Sequence, residues 1–127
     1  MRHIVFAQSE CYPVALLVKP ALFQQYKLEQ YYLNRMPHID RQDVIAMTLE
    51  VDAKGKLPVS FIKTYLTQLL PALDGVGTKL LYVTDSAYFK ALTKAKKAEP
   101  HYGYVLPCTV PGYEHMSVVL GMNYQQL

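Results

Sequence analysis

A chain of 127 residues, 51% hydrophobic and 18% charged, has the size and composition of one globular domain and is too apolar for a disordered chain. No apolar run reaches the ~18 residues needed to cross a bilayer, and MRHIVFAQSE lacks the apolar stretch of a secretory signal. The net charge of +3 is unevenly spread: residues 54–97 carry eight basic side chains and only Asp74 and Asp85 as acids, a local charge of +6 against −3 for the remainder. A basic middle on a mildly acidic protein favours an anionic partner, without choosing among nucleic acid, acidic protein and membrane surface.

In chain order, His3 to Ala7 (HIVFA) reads as a first strand and Gln8 to Pro13 (QSECYP) as a polar turn. Val14 to Val18 is a second apolar run, ended by Lys19-Pro20. The spacing of Leu22, Phe23, Tyr26, Gln30 and Leu33 predicts a helix over 21–36, opened by Pro20 and ended by Pro37. HIDRQD is a charged loop, and Val44 to Val51 is the next strand, ending at Asp52. Pro58 opens a helix whose Val59, Ile62, Leu66, Leu69, Leu70 and Leu73 recur at three and four, an amphipathic stripe that faces a core, with Pro71 tightening or ending its last turn.

After the DGVG turn comes the unit that organises the chain, TKLLYVTDSAYFKALTKAKK. Lys79 to Thr84 is a short β-prone run, and Asp85 and Ser86 are helix N-caps whose side-chain oxygens satisfy orphan N–H groups. A helix reaching Lys97 would carry Ala87, Ala91, Leu92 and Ala95 on one side and Lys90, Lys94 and Lys97 on another. That lysine face is either a solvated surface or an anion surface. Tyr102 to Leu106 and Val118 to Leu120 complete the strands. Alternating strands and helices predict an α/β domain over residues 1–127, a three-layer open sheet of four or five mainly parallel strands with helices on both faces.

Few motifs carry chemistry. His3, His38, His101, His115, Cys11 and Cys108 fit no metal-ligand spacing, and there is neither GxxxxGK[ST] nor GxGxxG, so neither metal nor cofactor is expected. Two distant cysteines without CxxC spacing are expected to be reduced thiols of an intracellular protein. Asp52 and Asp85 fall at strand ends, where acid–base groups often sit; as a cap and a loop residue they have structural readings as well. The Pro111-Gly112-Tyr113-Glu114-His115 loop is a turn that presents Tyr113 and His115.

Five strings, ALLVKPALF, DVIAMTLEVD, IKTYLTQLLPAL, LLYVTDSAYFKALTKAKKAEPHYGYVLPC and VPGYEHMSVVLGMNYQQL, resemble the N-terminal segment of certain bacteriophage family A DNA polymerases. Tyr82 to Leu92 and Tyr102 to Cys108 carry most of the likeness. The order of elements is also similar to the uracil-DNA glycosylase fold, with Thr48 to Asp52, the helix from Pro58, the strand from Lys79 and the Pro111-Gly112 loop in corresponding places. The glycosylase loops are not reproduced: QSECYP offers only Glu10, and Val110-Pro111-Gly112-Tyr113 stands where a His-Pro-Ser loop would. No catalytic residue is carried over.

The resemblance implies a non-catalytic accessory segment of a replicative polymerase, followed in the same polypeptide by exonuclease and polymerase domains and working in the cytoplasm of the infected host cell. It would contact single-stranded or primer-template DNA, or other replication proteins, and no membrane. Ser86, Lys90, Lys94, Lys96, Lys97 and Tyr113 are the candidate nucleic-acid contacts. The alternative is a base-processing or nucleotide-hydrolysing enzyme using Glu10, Asp52 or Asp85.

Overall fold

A computed structural model describes residues 2–20, 23–35, 39–49, 58–93, 95 and 103–121. Among these, six strands form one sheet: β1 (Arg2–Val5), β2 (Val14–Leu17), β3 (Val44–Thr48), β4 (Leu80–Val83), β5 (Val105–Pro107) and β6 (Ser117–Leu120), in the spatial order β1-β3-β2-β4-β6-β5. Helix α1 (Gln25–Tyr31) links β2 to β3, α2 (Val59–Gly75) lies between β3 and β4, and α3 (Ser86–Leu92) follows β4.

The four central strands β3, β2, β4 and β6 are parallel, and both edges run antiparallel, so the sheet is mixed and has six strands rather than four or five. Connection length explains the β5 edge. Residues 108–116 join adjacent β5 and β6 and are too short for the crossover of a dozen or more residues that a parallel pair requires. Pro107 sits in an edge strand, where a missing N–H costs least.

Side chains alternate between two faces, and each face has its own core. Ala15, Leu17, Ile45, Met47, Leu81, Val83, Val118 and Leu120 point to the side covered by α2 and α3. Leu16, Val18, Val44 and Ala46 point to the side covered by Phe23, Leu28, Tyr32 and Leu33 of the α1 region. The domain is therefore an α/β layered structure with helices on both faces.

α2 buries Ile62, Leu66, Leu69, Leu70 and Leu73, the stripe expected from spacing, while Val59 is half-buried. Pro71 does not end the helix, which continues to Gly75. Pro71 and Thr67 are both on the exposed side, so the Thr67 carbonyl deprived of its helical donor faces water.

Two other expectations need correction. The first helix does not run from 21 to 36; α1 has seven residues and is followed by a 3-10 turn at Leu33–Arg35. Tyr26, expected on the inner face, is 62% exposed, and Leu28 and Tyr32 are buried instead. Phe23 precedes the helix, so a single helical phase carried from residue 22 to 33 selects the wrong side. α3 in turn ends at Leu92: Thr93 is extended and its hydroxyl donates to the Phe89 carbonyl at 2.8 Å, closing the last turn.

Candidate functional site

The chain leaves β2 toward β3, then returns past β2 to β4, which makes the carboxyl ends of β2 and β4 the topological switch point. In open α/β sheets the crevice at such a point is the usual ligand site. Here the protein's own side chains bridge the strand ends. Lys19, just after β2, pairs with Asp85, just after β4, at 3.0 Å. Asp85 is also the N-cap of α3, accepting from the Ala87 N–H at 2.8 Å, as its place before the helix predicts. Thr84 Oγ1 donates to the Leu17 carbonyl and Thr48 Oγ1 to the Val18 carbonyl, at 3.4 and 2.7 Å.

Tyr88 completes this closure. Its buried hydroxyl donates to the Val18 carbonyl at 3.3 Å and accepts from the Leu49 N–H at 3.1 Å, tying α3 to the ends of β2 and β3. Burial pushes its pKa up to about 12, partly offset by its hydrogen bonds to Leu49 and Thr48. Tyr88→Phe leaves the Leu49 N–H without its acceptor, and a loss of about 1–2 kcal/mol is expected at neutral pH. The wild-type advantage is present below pH 10, where unfolded tyrosine also keeps its proton. It declines by roughly 2–3 kcal/mol as the pH rises toward and past 12, because only the unfolded chain ionises readily in that window. Urea titrations of both proteins from pH 8 to 12 test this; a constant difference would show that the hydroxyl is not held in its neutral form.

Among the described residues, Asp85 is the only carboxylate on the segments leaving the carboxyl ends of the parallel strands. Glu10 lies in the connection after β1, an antiparallel strand, and that connection sits at the amino ends of β2 and β3. Glu10 and Asp85 are therefore at opposite ends of the sheet and cannot act on one substrate atom. Asp52 lies outside the described residues. The Pro111-Gly112 loop also lies at the amino end, preceding β6, where His115 pairs with Asp74 at the end of α2 at 2.8 Å. It does not face the switch point.

The candidate nucleic-acid residues spread along α3 and beyond it. Ser86 is exposed at the amino end of α3, and Lys90 follows one turn later, half-exposed. Tyr113 lies in the amino-end loop, half-buried against the α2–α3 core, its ring centroid 6.3 Å from that of His115. Lys94, Lys96 and Lys97 lie outside the described residues. α3 stops at Leu92, with Thr93 extended, so Lys90 is the one of these lysines that belongs to the described helix.

What Lys90 does join is a cleft of about 470 Å³ between α2 and α3, shared with Lys63, Leu66, Ala91 and the 109–111 segment. Lys63 was legible only as one more polar residue on α2, although its i, i+3 spacing from Leu66 placed the two side by side. Neither Lys63 nor Lys90 has an ion-pair partner among the described residues.

No group of three potential metal ligands occurs among the described residues, and no helix there is long and apolar enough to cross a membrane. Cys11 is exposed and Cys108 buried, both as free thiols; burial pushes the Cys108 thiol up, which keeps it protonated and unreactive. No protein-family model, curated protein or solved structure matches the chain.

Proposed function

We propose that the chain is a non-catalytic accessory domain of a phage replicative DNA polymerase, with a uracil-DNA glycosylase-like α/β fold, that helps hold single-stranded or primer-template DNA. The observation that carries the non-catalytic part is the closed switch point. Its one described carboxylate is engaged twice, by Lys19 and by the α3 N-terminus, so among the described residues no carboxylate there is free to act. In a glycosylase-like arrangement the reacting loop would follow the first strand, where QSECYP offers only Glu10, at the sheet end opposite Asp85. The string resemblance and the basic residues 54–97 support the DNA part. Lysines gain little from isolated surface ion pairs, so such a concentration is most useful against a polyanion.

The expected behaviour is weak, largely sequence-independent binding to a single-stranded oligonucleotide that falls steeply with salt, because released counterions drive it. Each lysine that contacts a phosphate lowers the slope of log affinity against log salt by roughly 0.7–1 when replaced. A salt series comparing wild type with Lys90→Ala/Lys94→Ala/Lys97→Ala measures this; unchanged affinity and slope would sink the DNA surface. Base release from uracil-containing DNA, lost on Glu10→Gln, would overturn the non-catalytic reading.

A further inference from the structure

We infer that the cleft between α2 and α3 is a docking groove for a short acidic segment of a partner protein that carries aliphatic side chains between its carboxylates. Leu66 of α2 and Ala91 of α3 are buried at its floor, and Ala95, Val110 and Pro111 extend the apolar wall. The hydroxyls at its margin are already used: Thr93 donates to the Phe89 carbonyl and Thr109 to the Leu92 carbonyl, at 2.8 and 3.3 Å. Among the described residues, the polar side chains left to a ligand are the two ammonium groups, Lys63 from one helix and Lys90 from the other, with no carboxylate lining the cleft.

A ligand complementary to this lining is anionic at its edges and aliphatic in its middle. The volume is in the range of ligand-binding clefts. Single-stranded nucleic acid is the poorer fit, because its bases bind proteins chiefly by stacking on aromatic rings and none of the described residues lining this cleft has one. An amphipathic peptide laid between two helices uses apolar anchors for affinity and charges for orientation and encounter rate, and the cleft offers both.

This groove differs from the proposed DNA surface in Lys63, which lines the groove and is not among the candidate nucleic-acid contacts, while Lys90 is common to both. The test uses a fluorescent synthetic peptide alternating Glu with Leu, read by anisotropy against the whole chain. Saturable binding is expected, weakened roughly three- to fivefold by Lys63→Ala and again by Lys90→Ala, the size of a partly exposed ion pair. Control peptides with Gln for Glu, or Ser for Leu, are expected not to bind. Alanine suits both helical positions, so the variants keep their fold, checked by an unchanged Tm. The groove is overturned if no saturable binding occurs, if the double variant binds as the wild type does, or if an oligothymidylate of matched charge displaces the peptide as well as unlabelled peptide does. Loss of DNA binding on Lys94→Ala/Lys96→Ala/Lys97→Ala with peptide binding intact supports the two surfaces as separate.

Discussion

Phe89→Ala is expected to lower the free energy of unfolding by about 3–5 kcal/mol, a large share of the 5–15 kcal/mol that holds a domain of this size together. Phe89 is fully buried in the core that α2, α3 and one face of the sheet build together. α3 has seven residues, too few to be stable alone, so its existence depends on packing rather than propensity. Tyr88, Phe89, Ala91 and Leu92 supply that packing, and Phe89 removes the most apolar volume among them when truncated. Losing it also loosens the cap at Asp85 and the Tyr88 bonds that close the switch point. A urea titration measures the cost; a loss below about 1 kcal/mol would mean that α3 is not held by this ring. Leu66→Ala, at the cleft floor and slightly exposed, is expected to cost less, about 2–3 kcal/mol.

The contrast between α2 and α1 shows what the sequence made legible. In α2 one uninterrupted helix carries the stripe, so the three-and-four spacing maps directly onto the buried face. Around α1 the apolar residues belong to three local structures in succession, and no single period describes them. Strand existence was readable from short apolar runs, whereas strand direction depends on what a strand pairs with. The shortness of 108–116 was a usable sign of an antiparallel edge. The Asp85 cap was readable because its cause is local. The Lys63–Lys90 cleft was not, because its two walls come from helices separated by a strand, and only their packing creates it. The end of α3 was also missed: Thr93 is a middling helix residue, and its back-bond to Phe89 has no signature in a lysine-rich run that otherwise suits a helix.

Gly121→Ala is expected to destabilise the chain by about 3 kcal/mol, the upper part of the range for overpacking, because the obstacle is a ring and not a flexible tip. Gly121 follows β6, and its N–H donates to the Val83 carbonyl at 2.8 Å, extending the parallel ladder by one bond. Tyr82 pairs with Val119 in the register, so Gly121 is its diagonal neighbour on the same face of the sheet. A Cβ on Gly121 would overlap the ring and hydroxyl of Tyr82. The glycine is required by space and not by conformation, since the positive backbone angles among the described glycines belong to Gly77, Gly103 and Gly112. To admit a methyl group, either the Tyr82 ring swings out from its half-buried seat or the Gly121–Val83 bond breaks. The two causes separate in a double-mutant cycle with Tyr82→Ala, which frees the space that the methyl needs. If the ring is the obstacle, Gly121→Ala costs much less in the Tyr82→Ala background than in the wild type, and the two substitutions are strongly non-additive. Additive losses in denaturant titrations would refute the steric account and place the cost in the strand end itself.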